Sequence, residues 1–307
     1  MKNIPRIGLG TWKAPPNEVT ESVRFAIEEA GYKHIDCAFF YRNEKEIGDA
    51  LNDLLSRNVV KRDELWITSK LWCTDHLPER VESACRKTLA DLKIKYLDLY
   101  LMHWPMSFPH DGELLPFEEN SQNKVKLVDI PIIETWKAME NLVEKKLVRH
   151  IGVSNFTVEL LEKLLFSDIK IIPYANQVEQ HLFLQEEALL EFCEKRNIVL
   201  EGYRTLGGPA SSRKPGKPVL LENPVLNEIA KETGKTPAQV ELKFLLSLSQ
   251  NSVVLAKSSN KERICQNINL KFDLSEKQIQ RLKSQDRCLR LTTSYESWGV
   301  DVFTDHW

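Results

Sequence analysis

The sequence predicts an α/β chain folded as one domain over residues 1–307, a closed (β/α)8 barrel of the TIM type. Short β-branched or apolar runs alternate with amphipathic helical patterns from one end to the other, the signature of βαβ units on a parallel sheet. No linker interrupts the alternation. Periodicity alone leaves a doubly wound open sheet equally possible. The ends of the runs favour the barrel, because nearly every one carries a chemically capable group. A barrel site draws on many strand ends, whereas an open sheet gathers its site at one switch point.

The first run is Ile7-Gly8-Leu9, followed by a helix near Glu18 to Ala30 and a strand over Lys33 to Asp36. A helix over about Glu44 to Ser56 leads to a third strand, Leu65 to Ser69, and its helix, Glu79 to Leu92. Tyr96 to Met102, reading YLDLYLM, is the fourth strand. From Pro105 to about Pro131 the chain is rich in Pro, Asn, Asp and Glu and is too long for an ordinary connection, which marks it as functional or mobile. The rhythm resumes with a helix at Ile132 to Lys145, strand five at His150 to Val153 and a helix near Val158 to Phe166. Strand six is expected at about Ile172 to Gln177, its helix at Gln185 to Arg196, and strand seven at Val199 to Tyr203. A second long loop, Gly207 to Gly216, precedes helices near Val225 to Thr233 and Pro237 to Leu248. Ser252 to Ala256 is strand eight.

Composition narrows the function classes. A net charge of −2, with Lys and Arg scattered among Asp and Glu, offers no face for nucleic acid. No long apolar stretch marks a signal peptide or a membrane span, so a cytoplasmic protein is expected. The six cysteines are widely spaced without a C-x-x-C pair and are read as reduced thiols. No H-x-H or clustered carboxylate set marks a metal site, which argues against a metal-dependent hydrolase on the same barrel.

In order, the strand ends carry Asp36, Lys70, His103, Ser154-Asn155, Gln177, Tyr203-Arg204 and Lys257-Ser258. Taken singly, each has a bland alternative as a helix cap, surface charge or packed ring. Around them stand GYKHIDCAFFYRNEKEIG (Gly31 to Gly48), ITSKLW (Ile67 to Trp72), LMHWP (Leu101 to Pro105), IGVSNF (Ile151 to Phe156) and AKSSNKERICQN (Ala256 to Asn267). Together these motifs resemble the aldo-keto reductase superfamily, in particular its aldose and aldehyde reductase branch, over essentially the whole chain.

The resemblance implies a catalytic set of Asp36, Tyr41, Lys70 and His103 that reduces an aldehyde or ketone with hydride from NADPH. The chemistry is coherent. Hydride arriving at a carbonyl carbon drives charge onto oxygen, so the site must deliver a proton there. Tyr41 is expected to deliver it, with the Lys70 ammonium drawing the phenol's pKa toward neutrality. Asp36 balances that ammonium, and a neutral His103 orients the carbonyl. A cofactor-bound regulatory or structural protein of the same fold is the alternative, and the presence of all four residues argues against it.

The resemblance also sets the nicotinamide carboxamide against Ser154, Asn155 and Gln177, an amide-rich trio able to donate and accept, with Tyr203 stacked on the ring. Gly10-Thr11-Trp12 lets backbone approach the cofactor, although Gly8-Leu9-Gly10 as a phosphate motif is weak. Lys257, Ser258, Ser259, Asn260 and Arg263 surround a 2′-phosphate and so select NADP over NAD; Ser259 to Glu262 also reads as a capping box. Leu206, Gln266 and Asn267 complete the expected cofactor contacts. Three departures from the family stand out: Gln266 replaces a Glu near the adenine, Gly208 and Ala210 replace the acidic part of a belt over the pyrophosphate, and Arg204 replaces a small Ser. Arg204, with Arg213 and Lys214, is placed to contact the pyrophosphate.

Trp12, Phe40, Trp72, His103 and Trp104 are expected to wall the substrate pocket, suited to apolar carbonyl compounds. Substrate preference is assigned to the Pro105 to Pro131 loop and to the tail from Leu289 to Trp307, including Trp298, lying over the C-terminal face. The partner is a small aldehyde or ketone, acted on by a monomer.

Overall fold

The computed structural model describes residues 3–208, 216 and 218–303. Eight parallel strands close into a barrel in chain order: β1 (Ile7–Gly10), β2 (His34–Asp36), β3 (Trp66–Leu71), β4 (Leu97–Met102), β5 (Val148–Ser154), β6 (Ala175–Glu179), β7 (Val199–Tyr203) and β8 (Ser252–Ala256). Closure is made where β1 pairs with β8, Ile7 opposite Val254 and Leu9 opposite Ala256. The expected architecture is therefore the observed one.

Between strands run α1 (Pro16–Glu28), α2 (Glu44–Ser56), α3 (Pro78–Asp91), α4 (Ile132–Glu144), α5 (Val158–Leu165), α6 (Glu187–Glu194), α7 (Pro224–Thr233) and α8 (Pro237–Leu248). Three further helices follow β8: α9 (Lys261–Ile268), α10 (Glu276–Lys283) and α11 (Ser294–Trp298). The cap of α9 is Asn260, whose side chain accepts from the Arg263 amide, one residue beyond the Ser expected to begin a capping box. No helix among the described residues is long and apolar enough to cross a membrane.

The helices seal one apolar layer outside the strands, where Val23, Ile35, Leu51, Ile67, Tyr100, Trp136 and Ile151 are buried. Inside the barrel a smaller cluster of Trp66, Leu99, Leu101, Ala175 and Val253 fills the lower half. Trp66 lies parallel to the His150 ring there at 5.5 Å. Because alternate strand residues share a face, the inward positions above this cluster are left to polar side chains: His34 and Asp36 on β2, Thr68 and Lys70 on β3, and Glu201 and Tyr203 on β7. Gly8 makes this possible. A Cβ there would come within 2.8 Å of His34 Nδ1 and 2.6 Å of Leu255 Cδ2, so its role is to admit the imidazole, not a phosphate.

Two expectations need correction. β6 begins at Ala175, not Ile172, which is 57% exposed; Pro173 separates that residue from the ladder, and the strand runs on through Gln177 to Glu179. The Pro105 to Pro131 excursion is pinned in place by antiparallel bridges between Ser107 and Val128 and between Phe117 and Val125. Its Val125 amide also donates to the Trp298 carbonyl at 3.0 Å. Of the second loop, Ala210, Arg213 and Lys214 lie outside the described residues, as do residues 304–307 of the tail.

Candidate active site

A cavity of about 1020 Å³ opens at the C-terminal ends of the strands, lined at one end by Tyr41, His103 and Trp298 and at the other by Ser258, Arg263, Gln266 and Asn267. Every expected site residue lines it except Thr11, Lys70 and Trp72.

Lys70 is absent from the wall because it lies beneath it, fully buried. Its three ammonium hydrogens meet three acceptors: Asp36 Oδ1 at 2.6 Å, the Cys37 carbonyl at 2.8 Å and the Tyr41 hydroxyl oxygen at 3.2 Å. An ammonium has three donors, so the group is satisfied. Burial works against its charge, but the Asp36 carboxylate at contact distance outweighs this and holds the ammonium well above its ordinary pKa.

Tyr41 closes a short 3-10 turn, Phe39 to Tyr41, ended by Arg42 in the left-handed region at φ 61°. Since its oxygen accepts from Lys70, its own hydrogen is free to be donated elsewhere, and the phenol lines the cavity. The expected acidification is overridden in this state. Burial, the largest influence, together with Asp36, raises the phenol above its ordinary pKa, while Lys70 pulls it down through charge and hydrogen bond. A protonated phenol held by a cation is the state a proton donor requires.

His103 follows β4 and packs edge-on to the rings of Tyr41 at 5.9 Å and Trp72 at 5.2 Å. Burial, with the charge of Lys70, drives its pKa well below the ordinary value, so the imidazole is neutral. Its Nδ1 is buried without a hydrogen-bond partner among the described residues.

The amide trio is tied together more tightly than its sequence implied. Asn155, at φ 64°, donates to the His103 carbonyl and to Ser154 Oγ and accepts from the Tyr203 hydroxyl at 2.7 Å. Ser154 Oγ donates to the Gln177 carbonyl, while Gln177 Nε2 donates to Asp36 Oδ1 at 2.9 Å and to Glu201 Oε2 at 2.7 Å. With these donors engaged inside the protein, the trio faces the cavity chiefly with acceptor capacity.

Thr11 is a clamp, not a wall: its hydroxyl donates to the Asp36 carbonyl at 2.7 Å and its carbonyl accepts from Asn43. Gly10 lines the cavity, yet a Cβ there would make only ordinary contacts, the nearest 3.7 Å from Lys257. Trp72 stacks behind Phe40, with centroids 3.9 Å apart, and donates to the Leu114 carbonyl; it backs the pocket instead of walling it. Arg204, left-handed at φ 52°, lies over the Trp12 ring at 5.3 Å, linking the ends of β1 and β7 across the cavity.

The tail supplies what the motifs did not show. Leu291, Thr292, Thr293 and Ser297 line the cavity beside Trp298, which meets Trp104 edge-on at 4.9 Å. The tail is fastened by Glu179, whose carboxylate accepts the Leu291 and Thr292 amides at 2.5 and 2.7 Å. Burial opposes that charge, but His181 and these donors hold the carboxyl at about 2. Apart from Trp104 at its edge, the Pro105 to Pro131 excursion contributes nothing to the cavity wall and instead supports Trp298 from behind. The tail was expected over this face, with Trp298 named, and the structure brings it to the cavity; the Glu179 anchor was missed because an acid inside a strand carries no signal that would have singled it out.

The donor set fits a nicotinamide dinucleotide. An elongated cavity ends in two cations and several hydroxyl and amide groups, Lys257, Arg263, Ser258, Ser259 and Asn260, at the mouth of α9. Its other end holds an aromatic-walled chamber with an unpartnered buried ring nitrogen on His103.

Comparison with known proteins gives one answer. The model of the Aldo/keto reductase family matches residues 6–287. Aldo-keto reductase family 1 member A1 of Gallus gallus is 43% identical over 289 residues, covering 93% of this chain and 86% of the relative. An aldo/keto reductase of Synechocystis is 42% identical over 300 residues, covering 94% and 88%. Among solved structures, the aldose reductase of Schistosoma japonicum superposes with a TM-score of 0.91 at 38% identity, covering 100% of this chain and 97% of that one. The aldose reductase of Giardia lamblia gives the same score and identity, covering 98% of each.

Proposed function

The chain belongs to the aldo/keto reductase family, whose members reduce carbonyls with nicotinamide cofactors, and from that premise we propose that it reduces aldehydes and ketones to alcohols using NADPH, with Tyr41 as the proton donor. The observation that carries the reading is the hydrogen-bonded set in which Asp36 fixes Lys70 and Lys70 donates to the Tyr41 oxygen. When bound, the dinucleotide supplies hydride to the carbonyl carbon. The remaining work falls to the chain. Neutral His103 and the Tyr41 hydroxyl hold the carbonyl oxygen, the phenol gives up its proton as charge develops there, and the Lys70 ammonium stabilises the phenolate left behind. Asp36 keeps that ammonium charged throughout. Trp12, Phe40, Trp104 and Trp298 exclude water and favour apolar carbonyl compounds.

NADPH is favoured over NADH by Lys257 and Arg263, the two cations among the residues at the far end of the cavity. A hydrogen bond to a charged group contributes about 1.5–3 kcal/mol, and Arg263 is solvent-exposed, so the lower end applies. Arg263→Ala is therefore expected to weaken NADPH about tenfold and NADH less than about twofold, measured by quenching of tryptophan fluorescence. An equal loss for both cofactors would remove Arg263 from the phosphate site. Activity in the cytoplasm as a monomer completes the proposal.

A further inference from the structure

Under the four site residues lies a buried acid that the reaction as described does not use. Glu201, fully buried at the middle of β7, receives the same Gln177 amide nitrogen as Asp36, so two carboxylates share one NH2 group beside a single ammonium. Its other oxygen, Oε1, lies 3.3 Å from His34 Nε2, with both side chains wholly enclosed.

The surroundings of His34 decide where protons sit. Nδ1 faces the Pro5 carbonyl at 3.3 Å, an acceptor that cannot donate, so Nδ1 carries a hydrogen. Nε2 is 3.2 Å from the Thr68 hydroxyl, and that oxygen already accepts from the Trp66 indole, leaving its hydrogen available to donate. A neutral ring therefore presents a lone pair at Nε2 toward Glu201 Oε1, and an ionised carboxylate there would set two acceptors against each other in a site closed to water. One further proton resolves this, whether it rests on oxygen or nitrogen.

We propose that Glu201 and His34 retain one shared proton beneath the active site, making Glu201 a positioning residue that keeps the Lys70–Asp36 pair in a neutral interior and fixes the Gln177 amide. The titratable or charged groups facing Glu201 are His34 and Asp36 from β2, Lys70 from β3 and Tyr174 before β6; its neighbour in register on β8 is the apolar Val253. Burial and the Asp36 charge push the Glu201 carboxyl well above the ordinary carboxylate range, which favours keeping the proton. Loss of the shared proton at alkaline pH puts a second negative charge below Lys70, and this holds the Tyr41 proton more tightly. In Glu201→Gln that charge never forms, so Tyr41 ionises at lower pH.

The coupling to Tyr41 rests on its role as proton donor; the shared proton does not. Nitrogen NMR of the full chain carrying isotope-labelled histidine, with His34 identified by its absence in His34→Gln, is expected to find hydrogen at both Nδ1 and the Nε2–Glu201 contact through neutral pH, and a bare Nε2 in Glu201→Gln. A bare Nε2 in the wild type together with an ionised Glu201 carboxylate, read by carbon NMR of the same protein, overturns the proposal. The alkaline limb of kcat for NADPH-dependent reduction is expected to fall by about half a pH unit or more in Glu201→Gln; an unchanged limb overturns the positioning role. Failure of the Tyr41→Phe experiment, by contrast, would strike the proposed function and leave the NMR result standing.

Discussion

Tyr41→Phe is expected to lose about a hundredfold to ten-thousandfold in kcat for aldehyde reduction, the range a positioned acid contributes, with NADPH affinity within about twofold of wild type. The substitution removes one oxygen. Asp36 and the Cys37 carbonyl still satisfy two of the Lys70 donors, so the fold is retained. What is lost is the hydroxyl hydrogen that the Lys70 contact leaves free for a ligand. Steady-state turnover and a fluorescence titration separate the two effects, and comparable turnover in the variant would dismiss Tyr41 as the donor.

Lys70→Met is expected to act on stability and on activity together. Removing one partner of a buried ion pair strands the other, at a cost of about 3–5 kcal/mol. Here the stranded group is Asp36, 3% exposed, with Glu201 beyond it. Chemical denaturation tests this, and a loss below about 1 kcal/mol would show that the pair is not structurally coupled as described. The same variant also loses catalysis, because nothing then steadies the phenolate.

The barrel was legible because parallel strands buried on both faces read as apolar runs, and because residues at or just beyond the strand ends, such as Asp36, His103, Ser154, Gln177, Tyr203 and Lys257, line one shared mouth. Asp36 and Gln177, and Lys70 within β3, all lie where the run-and-loop rhythm set them. Less could be read where two kinds of residue share an inward face. In VLEGY, an acid between apolar residues has the pattern of a half-exposed strand, yet Glu201 points inward and is wholly buried. Glu179 was hidden because β6 was expected to end at Gln177, and with it the anchor that brings Leu291 and Thr292 to the cavity.

Trp72 shows the opposite error: a motif names a neighbourhood, and only packing decides which ring in it meets the ligand. Phe40 stacks in front of Trp72, and Trp298 comes from a tail beyond the residues that the family model matches. That tail is held by Glu179 and backed by Val125 and Phe108. Substrate choice is accordingly assigned to it. Gly208, one of the positions where the resemblance implied an acid was missing, lines the cavity, and Arg204 lies over the Trp12 ring.

The proposed function requires that the protein transfer hydride, not merely hold a dinucleotide. Incubating the purified chain with NADPH and an apolar aromatic aldehyde, and counting alcohol formed against cofactor oxidised, tests that claim most directly. One alcohol per NADPH, with continued turnover, is the predicted result. Tight NADPH binding with neither oxidation nor alcohol, across aldehydes and ketones alike, would contradict it.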